Sequence, residues 1–145
     1  MKLVSKAILT ASTAALFSFV LGSATVTEAS SELRCPRPLE PWDQISLFFG
    51  RNVDDLTIVS EEAFYAFLTE EVTPIFPDGL SVVNVAGQFL TDDSKIVREQ
   101  TNLLILLVPD ALAVWHDIEV ITESYKEKFD QQSVLQTVAP VCVAS

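Results

Sequence analysis

Polar side chains at alternate positions of two strand-like segments are the best-placed ligand-binding groups in this chain. Arg98, Gln100 and Asn102 are spaced two residues apart and so share one face of a strand, and Asn84 and Gln88 share a face of the preceding strand. A guanidinium group forms charge-assisted hydrogen bonds with carboxylates. The pattern therefore makes Arg98 a candidate for binding an anionic ligand or a carboxylate of a protein partner.

Arg51 is a second candidate for binding an anion, because it closes the first predicted strand. The evidence for catalysis is weaker. His116, the only histidine, shares a helical face with Glu119 and Glu123, which indicates an exposed side chain. The chain has no Gly-x-Ser-x-Gly nucleophile segment and no Cys-x-x-Cys pair. We predict no catalytic residue, no metal site and no cofactor, and an enzymatic activity is not favoured.

Apolar periodicity predicts the elements that must position these residues. The order is strand, helix, strand, strand, helix, strand. The predicted strands are 45–51, 80–89, 96–108 and 133–138. The first helix begins at the capping residue Ser60 and ends at Pro74, and the second opens at Pro109 and extends to Phe129. This order predicts an α+β, ferredoxin-like βαββαβ fold: a four-stranded antiparallel sheet of order 4-1-3-2 with two helices on one face.

The two cysteines, Cys35 and Cys142, are predicted to form a disulfide. In the strand order 4-1-3-2, strands 1 and 4 are antiparallel neighbours, so the start of strand 1 lies beside the end of strand 4. Cys35 precedes strand 1 and Cys142 follows strand 4. The predicted topology therefore brings both cysteines to the same end of the sheet.

The alternation along the strands predicts which residues the helices cover. The covered face is expected to hold Val83, Val85, Phe89, Leu103, Ile105 and Leu107. The far face is expected to hold Asn84, Gln88, Arg98, Gln100 and Asn102, beside Phe48, Leu104 and Leu106. Three interpretations of such a mixed face stay open: a homodimer with sheets packed face to face, a cleft for an unknown small molecule, or a half-hydrated face without function.

The amino-terminal 29 residues have the layout of an export signal. Lys2 and Lys6 precede an uncharged, mostly apolar run at 7–21, and cleavage is expected after one of two small residues, Ala24 or Ala29. The run is shorter than the roughly 20 residues that span a bilayer. We therefore predict a secreted or periplasmic protein that is not held in the membrane after removal of the signal.

The remaining chain has the size of one domain. Residues 30–41 contain three prolines and are predicted to form an extended lead-in, and residues 42–145 to form a single α+β domain. The net charge of the whole sequence is −11. Such an acidic protein is repelled by nucleic acids and by anionic membrane surfaces, so neither is an expected partner.

Several short blocks carry a family resemblance: Gly50-Arg51, Phe76-Pro77-Asp78-Gly79-Leu80, Gly87-Gln88, Ile96-Val97-Arg98-Glu99 and Gln132-Ser133-Val134-Leu135. With these blocks the chain resembles an exported bacterial family catalogued as domain of unknown function 3574. The resemblance covers roughly residues 41–143. It implies a small exported domain and implies no activity. The leading hypothesis is a domain that self-associates or binds a partner through its sheet face. The alternative is a small-molecule binding protein or a cofactor-independent enzyme with a pocket on that face.

Overall fold

The computed structural model describes residues 34–52 and 58–144, and the predicted export signal lies outside them. The element order is the predicted one. The elements are β1 Glu40–Gly50, α1 Glu61–Phe67, a π-helical continuation of α1 at Leu68–Val72, β2 Ser81–Leu90, β3 Ile96–Val108, α2 Trp115–Phe129 and β4 Leu135–Val143. The predicted α+β class is confirmed.

The four strands form one antiparallel sheet of order β2-β3-β1-β4. From the β4 edge this reads 4-1-3-2, as predicted. β1 and β3 are the central strands, and β2 and β4 are the edges. Ile45 of β1 lies opposite Leu106 of β3 and opposite Val138 of β4, which fixes the register of the three strands.

The core lies between one face of the sheet and both helices. Phe49 of β1 is fully buried, and its ring centroid lies 5.7 Å from Phe64 and 5.9 Å from Phe67 of α1, and 4.5 Å from Tyr125 of α2. Tilted and edge-on aromatic pairs at such distances add to the stability gained from burial. Because one side chain contacts both helices, both lie on the same face. The other buried apolar residues of β1 and β3 are Ile45, Leu47, Leu104, Leu106 and Val108.

The first helix begins where the sequence predicts. Ser60 has an extended backbone, and its hydroxyl accepts a hydrogen bond from the Ala63 amide at 3.1 Å, which satisfies an otherwise free donor of the first turn. Its buried stripe consists of Phe64, Phe67, Leu68 and Val72. The chain leaves the helix before Pro74 and enters β2 through Gly79, whose φ of 132° is a conformation that residues with a side chain rarely adopt.

The second helix begins at Trp115, later than the predicted start at Pro109. Two carboxylates explain the delay, because each accepts a hydrogen bond from a backbone amide in a non-helical segment. Asp43 of β1 accepts from the Ala111 amide and Asp110 accepts from the Leu112 amide, both at 2.9 Å. The loop is thereby attached to the sheet before the helix starts.

The last strand is longer than the predicted segment 133–138 and continues through Pro140 to Val143. Proline lacks an amide hydrogen but is tolerated in an edge strand such as β4. Cys142 lies within the strand and forms a disulfide with Cys35, with a Cα–Cα distance of 5.5 Å. The predicted disulfide is confirmed. In the described part of the chain, no helix has the length and hydrophobicity needed to cross a lipid bilayer.

Removal of the disulfide is expected to destabilise the domain strongly. The bond joins residues 107 positions apart, and a loop of this size corresponds to about 4 kcal/mol of lost chain entropy in the unfolded state. We expect the double variant Cys35→Ser/Cys142→Ser to melt at least about 10 °C below the parent protein. Thermal unfolding followed by circular dichroism measures the shift, with Ser133→Ala as the control. An unchanged melting temperature would contradict this expectation.

Candidate functional site

The candidate ligand-binding residues of β2 and β3 lie on the helix side of the sheet. This set, here called the polar strip, consists of Asn84, Gln88, Arg98, Gln100 and Asn102. Asn102 lies opposite Phe49 in the register, and Phe49 faces both helices. The prediction that the polar strip lies on the uncovered face is therefore wrong. The helices pack on the side of the even-numbered residues of β2 and β3.

Part of the polar strip is nevertheless open to solvent, because the sheet is longer than the helices. The 13 residues of β3 extend about 43 Å at about 3.3 Å per residue, whereas the 15 residues of α2 extend about 22 Å. The β2–β3 hairpin therefore projects beyond the helical layer. Asn102 is only 2% exposed, whereas Gln88, Arg98 and Gln100 are exposed.

A concave site, here called the shelf, lies on this projecting part of the hairpin. Its volume is about 470 Å³, within the range of small-molecule sites. The residues that line it are Asn52, Ile58, Ala86, Gly87, Gln88, Arg98, Glu99 and Gln100. Asn52 and Ile58 form an isolated antiparallel bridge that flanks the hairpin. Three predicted residues, Gln88, Arg98 and Gln100, are thus brought together in one site.

Two hydrogen bonds hold Arg98 in place on the shelf. Its Nε donates to Oε1 of Gln88, the residue opposite it in the register, at 3.1 Å. Nδ2 of Asn52 donates to the backbone carbonyl of Arg98 at 3.1 Å. Because Gln88 is neutral, it orients the guanidinium without neutralising its charge. The guanidinium therefore keeps the positive charge and the donors with which it can bind an anion.

Arg51 and Asn84, two of the predicted ligand-binding residues, both contact Glu61. Arg51 is buried, its Nε donates to the Val59 carbonyl at 2.7 Å, and its Nη1 lies 3.8 Å from a carboxylate oxygen of Glu61. Nδ2 of Asn84 donates to the same Glu61 oxygen at 3.4 Å. These contacts connect the end of β1, the start of α1 and β2. Neither residue lines the shelf.

Asn102, the inner member of the polar strip, does not line the shelf either. Within residues 34–52 and 58–144, its buried Oδ1 has no hydrogen-bond partner. His116 is exposed on α2, 4.0 Å from Glu119, as predicted. In the same part of the chain, no three acidic, histidine or cysteine side chains come together as metal ligands.

The opposite side of the sheet, here called the open face, is predominantly apolar. The six residues that the sequence placed under the helices, Val83, Val85, Phe89, Leu103, Ile105 and Leu107, lie on it instead. Phe48 lies on this face as predicted, whereas Leu104 and Leu106 belong to the core. One row crosses the whole sheet: Leu135, Phe48, Leu103 and Val83 lie side by side on β4, β1, β3 and β2.

Several large side chains of the open face are strongly exposed for apolar groups. The exposed fractions are 45% for Val83, 46% for Leu107, 53% for Phe89 and 62% for Leu135. Two of the polar residues among them are small and shielded: Ser46 and Thr101 are buried, and Ser46 accepts a hydrogen bond from Gln44 at 3.1 Å. Ser81 and Thr137, at the margins of the face, are exposed. An exposed apolar surface of this extent marks an interaction site more often than a solvated face.

Two residues that line the shelf, Asn52 and Ile58, are not among the residues predicted from the sequence to bind a ligand. Their pairing as an isolated antiparallel bridge depends on where β1 ends, and no local pattern signals it. The sequence does indicate, however, that one face of the sheet is apolar. Val83, Val85 and Phe89 alternate with polar residues in β2, and only the choice of face was incorrect.

A family model described as "Protein of unknown function (DUF3574)" matches residues 44–144. The chain belongs to this family. The match includes every strip and shelf residue described above, and it agrees with the resemblance seen in the sequence. No curated protein matches the chain.

Two solved structures are similar to this member of the family. One is a phage SAM lyase in complex with S-methyl-5′-thioadenosine, with a TM-score of 0.54 and 14% identity, covering 72% of this chain and 90% of that chain. The other is a phage SAM lyase in the apo state, with the same TM-score and identity, covering 78% of this chain and 97% of that chain. At this identity the similarity is one of fold.

The Tyr125 hydroxyl connects the core to the end of β1, close to the site. It donates to the Gly50 carbonyl at 2.8 Å. Burial raises the pKa of the Tyr125 phenol; the charge of Arg51 opposes this rise, and that of Glu99 adds to it. The folded protein therefore holds the phenol neutral. The neutral phenol contributes to the free energy of unfolding. This contribution is fully present below the unfolded pKa of about 10 and is lost as the pH rises towards the higher folded value.

We expect Tyr125→Phe to lower the free energy of unfolding by about 1–2 kcal/mol at neutral pH, because the buried Gly50 carbonyl loses its donor. The difference between variant and parent should shrink at alkaline pH above about 10, because the phenol then ionises in the unfolded parent and favours its unfolding. Urea unfolding at neutral and alkaline pH measures both effects. The control is Tyr65→Phe, which alters an exposed tyrosine. Equal stability of Tyr125→Phe and the parent would contradict the expectation.

Proposed function

We propose that this protein is a self-associating domain in which two copies pack through their open faces. The observation that carries the proposal is the apolar row Leu135, Phe48, Leu103 and Val83, which crosses all four strands and is strongly exposed at both ends. Burying such side chains contributes about 25 cal/mol per Å² of apolar surface removed from water. Association through this face would remove Val83, Phe89, Leu107 and Leu135 from water, each of which is at least 45% exposed.

The size of the open face supports a stable interface. Four strands spaced about 4.8 Å apart, with about nine paired residues each at about 3.3 Å, give a flat area of about 570 Å² per copy. Two copies would bury about 1,100 Å² in total, which passes the roughly 1,000 Å² expected of a biological interface. Side chains make the accessible area larger than this flat area.

The charge distribution favours a second copy as the occupant. A two-fold interface brings identical surfaces together, so any net charge on the surface repels itself. The chain has a net charge of −11, yet among the described strand residues of the open face the carboxylates lie near its two ends, at Glu40 and at Glu99, which also lines the shelf. The uncharged centre is thus the part of an acidic molecule that is compatible with its own copy.

An extracytoplasmic location is part of this proposal. The Cys35–Cys142 disulfide is of the kind that persists in oxidising compartments. The lysine-flanked apolar run at the amino terminus supports export, with release from the membrane after cleavage. The proposed protein is therefore a secreted or periplasmic homodimer.

The proposal predicts that a charge on the open face dissociates the dimer. We expect Val83→Glu to weaken self-association at least tenfold, because the two-fold axis brings two new carboxylates into an apolar interface. Sedimentation equilibrium of the purified protein measures the dissociation constant. The matched control is Val120→Glu, since Val120 on α2 is 49% exposed and Val83 is 45% exposed.

A second variant separates the interface from folding. Val83→Thr keeps the β-branched shape and replaces only a methyl group by a hydroxyl, so it should fold and weaken the dimer less than Val83→Glu. Thermal unfolding confirms that each variant is folded. A parent protein that sediments as a monomer at all concentrations, or a dimer that both substitutions leave unchanged, would overturn the proposal.

Binding of a small molecule at the shelf is a second candidate function, and an enzymatic use of that site is its extension. Two observations favour it. The shelf brings Gln88, Arg98 and Gln100 together around about 470 Å³. A phage SAM lyase of similar fold is known in complex with S-methyl-5′-thioadenosine. That compound is therefore the first one to test on this chain.

Titration calorimetry with S-methyl-5′-thioadenosine tests the second candidate. We expect binding that Ala86→Phe abolishes, because a ring at residue 86 would fill the floor of the shelf. The matched control is Ala113→Phe, which enlarges another exposed alanine, in the loop before α2. Absence of heat, or binding that Ala86→Phe leaves intact, would exclude this compound as a ligand of the shelf.

A further inference from the structure

We infer that the shelf recognises a small organic carboxylate and that Arg98 is the group that binds it. The inference rests on the second proposed function, ligand binding at the shelf, and adds the chemical class of the ligand. It does not depend on the proposed dimer, because Gln88, Arg98 and Gln100 lie on the side of the β2–β3 hairpin opposite the open face.

The state of the Arg98 guanidinium is the first argument. The sequence has 20 acidic and 9 basic residues, so an arginine is expected to find a carboxylate nearby. Arg51 has one, in Glu61. Among the described residues, Arg98 has no carboxylate within 4.0 Å. Its only side-chain hydrogen bond in that part of the chain goes to the neutral oxygen of Gln88.

The geometry of that hydrogen bond is the second argument. Gln88 engages Nε of Arg98 and leaves the two terminal nitrogens for another partner. These nitrogens form a planar pair of donors that matches the two oxygens of a carboxylate. A hydrogen bond from Asn52 to the Arg98 carbonyl fixes the backbone beneath. The guanidinium is thus held in advance, which lowers the entropy that ligand binding must overcome.

The remaining lining of the shelf indicates what the carboxylate is attached to. Ala86 and Ile58 present apolar surface, and Ile58 is 51% exposed. Gln100 and Asn52 add amide groups that donate and accept hydrogen bonds. Glu99, the one carboxylate among the lining residues, alternates with Arg98 and Gln100 along β3. Apolar surface with a few directed polar groups is the composition of a small-molecule site. We therefore expect a compact, partly apolar body bearing one carboxylate.

A matched pair of probes tests the charge requirement. Benzoate and benzamide have nearly the same shape and differ in the charge of the group that would meet Arg98. We expect benzoate to shift the backbone amide signals of Gln88, Arg98 and Gln100 in nuclear magnetic resonance spectra of the protein. Benzoate should bind about tenfold or more tightly than benzamide, because charge-assisted hydrogen bonds are about twice as strong as neutral ones.

Two variants test the role of Arg98. Arg98→Gln should remove the preference for benzoate over benzamide. Gln88→Glu should weaken benzoate binding to a similar extent, because the new carboxylate would form an ion pair with the Arg98 guanidinium and compete with benzoate for it. Arg37→Gln, which removes the same charge from the exposed lead-in before β1, is the control and should preserve the preference.

The outcomes distinguish this inference from the function on which it rests. If benzamide binds the shelf as tightly as benzoate, the carboxylate inference is wrong and ligand binding at the shelf stands. If neither probe shifts the shelf signals, the inference is overturned, and failure of S-methyl-5′-thioadenosine to bind would then count against the second function itself. A benzoate preference that survives Arg98→Gln would also overturn the inference.

Discussion

The contact of Phe49 with both helices determines the rest of this structure. Its ring packs against Phe64 and Phe67 of α1 and against Tyr125 of α2. Side chains of a strand alternate between faces, so burying Phe49 under the helices also commits Ile45 and Leu47 to the core. The pairing of β1 with β3 then places Leu104 and Leu106 beside them. Every residue of the opposite parity is left on the open face.

The architecture was predictable because its determinants are local. Helical spacing, the Ser60 cap and the Pro-Asp-Gly turn locate the elements, and the order of elements restricts the topology. The disulfide followed from that topology. The ends of elements were less predictable. Asp43 delays the start of α2 through a hydrogen bond to Ala111 across 68 positions of the chain, and such a contact leaves no trace in local periodicity.

The sequence predicts the wrong sheet face for these residues, and the error has a physical cause. In β3 the even-numbered residues change from polar Arg98 and Gln100 to apolar Leu104 and Leu106, and a rule that polar residues face water assigns the whole set to the uncovered side. The rule assumes that helices cover the full length of a strand. Here β3 extends beyond them, so Arg98 is on the helix side and still in water. The regular alternation of Ile45, Leu47 and Phe49 in β1 was the more reliable signal.

The same excess length gives the hairpin two surfaces of different chemistry. Beyond the helices, one side presents Gln88, Arg98 and Gln100, which are polar and held by hydrogen bonds. The other side presents Phe89 among apolar neighbours. Because side chains alternate, substitutions on one side leave the other side's groups in place. A single hairpin can therefore contribute to an assembly surface and to a ligand site without conflict between them.

The β4 edge of the sheet is poorly suited to assembly by strand pairing. An edge strand offers unpaired backbone groups, and a second copy could in principle extend the sheet there. Pro140 interrupts the donors of β4, and the disulfide fixes the end of this strand to the segment before β1. Proline in an edge strand is a common means of preventing such pairing. The apolar row from Leu135 to Val83 has no comparable obstacle. Self-association is therefore expected to bury side chains of the open face and to leave the backbone pairing of each sheet unchanged.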